Sequence, residues 1–294
     1  MILLAGLCTV DLVQRVAEFP GAGEAARKVQ SRAVDVAAGG PATNAAVTVA
    51  ALGGQATLLT VLGAHPLAGL ARADLESCGV RVLDALPEHL APPAVSAVVV
   101  RERDGERTVV SHNAAALGEK PAFCLPFDGQ IADFLPVRAV LVDGHHPELA
   151  LAAARWARAS GVPVLLDAGS WKPVLDELLP LVDIAACSAD FRAPGRSLHE
   201  RGVPAVVTTN GPAPVRWSTL DDSGEVSVPR VRARDTLGAG DVWHGALAWG
   251  VGRFELPELI GFANEVAAER VRHAGPRSWT AAVRGLVAGL ERGT

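Results

Sequence analysis

The chain has 294 residues, 49% of them hydrophobic, which is enough to bury a sizeable core in one α/β unit. A formal charge of −5 and a pI near 5.9 leave no basic excess to neutralise a nucleic-acid backbone, so nucleic-acid binding is excluded as a first reading. No apolar run reaches the roughly 18 residues of a membrane span, and the four cysteines (Cys8, Cys78, Cys124, Cys187) stand apart without a Cys-x-x-Cys pair, arguing against a zinc site or disulfides and for a reduced cytoplasm.

In chain order, the apolar opening at residues 1–6 has no basic flank, and the run ends at Asp11, so it reads as a buried strand rather than a signal peptide. Helical spacing follows over 44–52, a strand over 56–62 and a helix over 67–77. The alternation resumes with a strand at 139–143, a helix at 148–159, a strand at 162–167, a short helix after Pro173, and strands at 184–188 and 205–209. This order predicts an α/β fold: a doubly wound, mostly parallel sheet with helices on both faces. Two segments, about 11–38 and 94–112, alternate polar and apolar residues instead, the second around an Asp104-Gly105 turn. They predict a small antiparallel β lid. Beyond Asp241 the pattern is helical through 256–272 and 278–291, and no linker interrupts the chain, so 1–294 is expected to form one domain carrying the lid.

The most informative stretch is Asp235-Thr236-Leu237-Gly238-Ala239-Gly240-Asp241, followed at once by an amphipathic helical pattern. Small residues before a helix leave backbone N–H groups pointing at one spot, where the helix dipole favours negative charge. Glycines alone could be a plain loop. Two aspartates bracket these, and a carboxylate beside an anion hole makes sense where a proton must leave an attacking hydroxyl.

The string resembles the carboxy-terminal signature of the ribokinase (PfkB) family, in the form seen in ketohexokinase-like members. A second segment, Gly39-Gly40-Pro41-Ala42-Thr43-Asn44, resembles that family's amino-terminal Gly-Gly-x-x-x-Asn motif. Read by itself it is equally a turn with Thr43 or Asn44 capping a helix, or a place where backbone approaches a ligand and an amide meets vicinal hydroxyls. The two motifs stand in the family's order with α/β alternation between them, so the resemblance covers essentially the whole chain.

The resemblance implies an ATP-dependent kinase that transfers the γ-phosphoryl group to a primary hydroxyl of a sugar, a hexose or ketose, using Mg2+ and, as a family expectation, K+. It implies Asp241 as catalytic base, with the amides of Gly238, Ala239, Gly240 and Asp241 holding the transferring group. Asp11 after the first strand, Gly39, Gly40 and Asn44 would meet the sugar, with Lys28 and Arg107 reaching it from the lid segments unless they are solvated surface charge. Thr208, Asn210, Gly211 and Asn264 would meet the nucleotide. Asp235 corresponds to a position near the monovalent-cation site. Asp143-Gly144-His145-His146 follows another strand and could line the pocket, but two histidines without a third ligand are weak evidence for metal.

The chain departs from the family pattern in four places. Leu237 replaces a threonine, which keeps the backbone of the anion hole. Ser188-Ala189-Asp190-Phe191 stands for Asn-x-x-Glu, leaving Asp190 to inherit a role near Mg2+. His65 replaces an aspartate after Gly63, and Thr208-Thr209-Asn210-Gly211 stands for a Thr-x-Gly loop. Gly105-Glu106-Arg107 and the residues after Asp241 also resemble sulfofructose kinases, although Ser111 and His145 stand where a sulfonate grip is expected. A nucleoside kinase of the same fold and a sugar-binding regulator without turnover remain alternatives. An open lid edge suggests a homodimer.

Overall fold

The computed structural model describes residues 1–19, 28–112, 123–125 and 136–290; residues 20–27 of the expected lid and residue 291 of the last predicted helix lie outside the described residues. The central sheet begins with β1 (Ile2–Ala5), flanked by β4 (Ala56–Thr60), with β5 (Val80–Asp84) beyond it. On the other side of β1 come β8 (Ala139–Val142), β9 (Val164–Ala168), β10 (Ile184–Ser188) and β11 (Ala205–Asn210). All these neighbours pair in parallel, and the antiparallel strands β12 (Ala213–Ser218) and β13 (Ser223–Val226) finish the far edge. Each predicted strand of this sheet appears within a few residues of its expected bounds, while β5, β12 and β13 are not among the predicted strands.

The period of two along β1 divides the core. Ile2 and Leu4 face one hydrophobic cluster, and Leu3 and Ala5 face another. The first cluster takes α1 (Pro41–Ala51), α2 (Pro66–Ser77), α5 (Ala239–Gly250), α6 (Leu256–Val271) and α7 (Thr280–Leu290). The second takes α3 (Pro147–Ala159) and the short α4 (Leu175–Leu178). The α1–α5 contact is close because Gly245 has no side chain: a Cβ there would lie 2.5 Å from the Ala45 carbonyl oxygen and 2.6 Å from Thr48 Cβ. That approach brings the amino ends of both helices together.

A second, four-stranded sheet is formed by β2 (Thr9–Val16), β3 (Ala33–Gly39), β6 (Ala94–Arg101) and β7 (Arg107–His112), in the order β3-β2-β6-β7. The outer pairings are antiparallel, while β2 and β6, which join the two segments, run parallel. Its inner face packs Val13, Val98 and Val100 against Leu237 of the glycine-rich loop.

β1 pairs with β4 on one side and β8 on the other, so the chain leaves β1 in one direction and later returns to its opposite flank. The crevice at the carboxyl ends of β1 and β8 is the topological switch point where open α/β sheets bind ligands.

Candidate active site

Asp143, directly after β8, organises the crevice. Its buried carboxylate accepts hydrogen bonds from the N–H groups of Leu7 (2.8 Å), Ala42 (3.3 Å) and His145 (2.9 Å). It thereby ties the turn after β1, the start of α1 and its own loop to one anchor. Gly6 is required beside it, since a Cβ there would collide with that carboxylate. The hydroxyl of Thr43 donates to Leu7 O at 3.0 Å and closes the same turn from α1.

The paired glycines have separate reasons. A Cβ on Gly39 would collide with the carboxylate of Asp11. Gly40 has φ 95, in the left-handed region, and a Cβ there would lie 2.6 Å from Leu7 O. Pro41 then opens α1 at a position where a missing N–H costs nothing. Asn44, one turn in, donates from Nδ2 to Asp241 Oδ2 at 2.8 Å. Its Oδ1 accepts from Arg277 at 3.4 Å, and Arg277 is itself paired with Asp74 at 2.7 Å. Asn44 therefore orients Asp241 as well as facing the cavity.

Gly238, with φ 71, caps α5, and Asp241 lies in the helix's first turn. The Ala239 N–H donates to Thr236 O at 3.3 Å. The N–H groups of Gly240 and Asp241 have no intrahelical acceptor, and the helix dipole makes the spot attractive to an anion. A cavity of about 230 Å³ opens here, lined by Asp11, Gly40, Asn44, Ser96, Gly238 and Asp241, among others. Burial pushes the Asp11 carboxyl above the usual range; hydrogen bonds from Thr9 and Ser96 oppose the shift, and the negative charge of Asp241 adds to it.

Other expected contacts fall elsewhere. Lys28 is exposed and does not line this cavity. Arg107 donates from Nη1 to Thr236 Oγ1 at 2.8 Å, joining β7 to the glycine-rich loop. Thr208 and Asn210 end β11 and Gly211 turns into β12, at the same carboxyl edge but three strands from β8, roughly 14 Å by ordinary strand spacing. Asn264 is a correction. Its amide is buried in the core, accepting from Trp243 Nε1 at 2.8 Å and donating to Ser227 O at 3.1 Å, so its side chain does not reach a nucleotide. His65, in place of the family aspartate, caps α2 by accepting from Leu67 N at 3.2 Å.

The ion expectations fare differently. Asp190 is exposed in the turn after β10, and among the described residues no group of three or more His, Cys, Asp or Glu side chains is placed to hold a metal ion. Asp235 does not fit a monovalent cation. Its buried carboxylate accepts from Arg15 Nη2 (2.7 Å), Gly275 N (3.0 Å) and Leu237 N (3.0 Å), with Arg270 Nη2 at 3.7 Å. Burial alone would raise this carboxyl, but Arg15, the Gly275 N–H and Arg270 outweigh it and hold it below the usual range. The arginines gave no sequence signal, because each meets its partner across a long stretch of chain.

A buried pair, Asp167 at the end of β9 and His244 one turn into α5, has Oδ2 and Nδ1 3.2 Å apart. His244 Nε2 faces the Ala186 carbonyl at 3.3 Å, so that nitrogen carries a hydrogen and the Asp167 contact needs one further proton. Burial raises the Asp167 carboxyl, His244 pulls it down, and Asp241 and Asp143 raise it further. A raised folded-state value means that burying the group costs nothing in acid and destabilises as pH rises through that value. We expect Asp167→Asn, a permanent donor, to melt about 2–4 °C above the parent near pH 8, with the gain shrinking toward about pH 5 in thermal unfolding.

This arrangement has counterparts among known proteins. Residues 1–282 match the family model described as pfkB family carbohydrate kinase. The chain is 26% identical over 273 residues to the deoxyribokinase of Salmonella typhi, covering 84% of each protein. It is 26% identical over 276 residues to the ribokinase of Bacillus subtilis, covering 90% of this chain and 91% of that one. The structure of Arabidopsis thaliana ribokinase complexed with ribose and ATP superposes with a TM-score of 0.73 at 20% identity, over 97% of this chain and 98% of the other. With the family match running from β1 into α7, and so through both glycine motifs and the crevice between them, the chain belongs to the pfkB family of carbohydrate kinases.

Proposed function

We propose that the chain transfers the γ-phosphoryl group of Mg·ATP to a primary hydroxyl of a small free sugar. The observation that carries this reading is the Asp241 carboxylate, held by Asn44 at 2.8 Å in the first turn of α5, lining the same cavity as Asp11. Asp11 accepts sugar hydroxyls and fixes the ring. Asp241 takes the proton of the attacking hydroxyl as its oxygen bonds to Pγ and the bond to the bridging oxygen of ADP breaks. The N–H groups of Gly238, Gly240 and Asp241 stabilise charge on the transferring group. The nucleotide extends along the carboxyl edge toward Thr208, Asn210 and Gly211. Magnesium arrives on phosphate oxygens with much of its water and needs few protein ligands, Asp190 through water being one.

The cavity volume of about 230 Å³ is below the usual range for drug-sized ligands and suits a monosaccharide. None of its lining side chains is Phe or Trp, which disfavours stacking a nucleoside base. The named relatives, a ribokinase and a deoxyribokinase, put pentoses ahead of hexoses and ketoses as first candidates. ADP release from Mg·ATP across pentoses, hexoses, ketoses, sulfosugars and nucleosides tests the reading. Turnover concentrated on one sugar supports it. Sugar binding with no turnover on any member would favour the regulator instead.

A second copy of the chain is the proposed partner. Across the second sheet, Val36, Leu12, Ala97 and Val110 stand in one cross-strand row, and all four are exposed. Such a row on a small sheet is an association surface. Light scattering is expected to give a dimer mass for the parent and a monomer mass for Val110→Glu; a monomeric parent would rule the surface out.

A further inference from the structure

The fold family's monovalent cation does not fit this chain, and the residues in its place suggest what replaces it. Arg270, on α6 and only 2% exposed, donates from Nη2 to Leu237 O at 2.7 Å and from Nη1 to His273 O at 2.8 Å. The same Nη2 lies 3.7 Å from Asp235 Oδ1. Backbone carbonyls together with a carboxylate are the oxygen set that a potassium ion accepts in place of its water. Here they close around a guanidinium. The other carboxylate oxygen of Asp235 is held by Arg15, which comes from β2 of the second sheet. An ion entering this space would put a third positive charge beside two guanidiniums in a poorly solvated region, with one carboxylate already shared between them.

We propose that Arg270, supported by Arg15, is a built-in substitute for the monovalent cation, so that turnover does not depend on potassium. Arg270 acts as a positioning residue. In a trans peptide the C=O and the following N–H point in opposite directions. Holding the Leu237 carbonyl toward α6 therefore turns the Gly238 N–H away from Arg270, at the start of the anion hole. Arg15 links the same loop to the second sheet, and Arg107 adds a bond to Thr236 from β7, so the loop's geometry is set by side chains from three elements.

The inference rests on the kinase reading of the glycine-rich loop, and the experiment separates the two. The protein alone, without nucleotide or sugar, is melted in potassium chloride and in tetramethylammonium chloride at equal ionic strength, and ADP release is measured in the same salts. The expected result is one melting temperature and one rate in both salts. Arg270→Met frees the oxygens. It is expected to lose roughly tenfold or more in kcat in tetramethylammonium salt with little change in sugar KM. It should also gain a melting shift specific to potassium and recover part of its rate there, while Arg270→Lys keeps the charge and remains indifferent to potassium. A potassium-specific melting shift or a severalfold potassium activation of the parent overturns the proposal, and neither needs the variants to fold. So does an Arg270→Met protein with undiminished kcat in tetramethylammonium salt. Absence of turnover in any salt would count against the kinase reading, while the melting comparison would still decide the cation question.

Discussion

Asp241→Asn is expected to lower kcat by about 10²–10⁴-fold while leaving the KM values for sugar and ATP close to those of the parent. The substitution preserves shape and the contact with Asn44, whose Nδ2 donates to Asp241 Oδ2 at 2.8 Å. What disappears is the acceptor for the hydroxyl proton. Because the transition state of phosphoryl transfer is loose, most of the acceleration comes from positioning and charge stabilisation by the anion hole, which the variant retains. The loss is therefore bounded. Steady-state kinetics on the sugar identified by the panel, with single-turnover measurement to isolate the chemical step, would check it. An unchanged kcat would remove Asp241 from proton transfer; a large rise in KM alone would make it a binding residue.

The parts of this site that were legible in the sequence are those whose requirements are local. The turn at Gly238, with φ 71, and the one at Gly40, with φ 95, need glycine whatever surrounds them, so both motifs mark themselves. The inner strands are buried on both faces and appear as short apolar runs, as β1, β4 and β8 do. β12 and β13, at the sheet's edge, are partly exposed and mixed in character, and β5 has the same texture, so none of the three stood out from its surroundings.

Contacts set by tertiary structure were not legible. Arg15 and Asp235 meet across 220 positions, and Arg277 and Asp74 across 203, with nothing in either local sequence to announce the pairing. The resemblance of its motif places Asp235 near a monovalent-cation site. The structure instead gives its charge to arginines from β2 and α6. Asn264 is likewise set by tertiary contacts: a polar residue on a helix facing the core needs internal partners, and it finds them in Trp243 and Ser227.

Asp143→Ala should be the most destabilising single change at the crevice. The side chain is 1% exposed and accepts the N–H groups of Leu7, Ala42 and His145, and alanine leaves all three without their acceptor. A buried donor left unsatisfied costs about 1–3 kcal/mol, and removing one carboxylate that serves several is less than additive, so a loss of about 3–5 kcal/mol is expected. For a chain of this size that corresponds to a fall of roughly 10 °C in melting temperature. The urea midpoint should drop with little change in the slope, because the same surface is exposed on unfolding. Asp143→Asn keeps one acceptor oxygen but turns an NH2 group toward a backbone donor, so it should lie between the alanine variant and the parent. The fragment most affected is the turn from Gly6 to Thr9, which carries Asp11 toward the cavity. Any Asp143→Ala protein that remains folded at low temperature is therefore expected to show a raised sugar KM before a lowered kcat. If its stability matches the parent's, the three hydrogen bonds do not hold the crevice together, and the registry of β1, α1 and the loop after β8 must come from apolar packing alone.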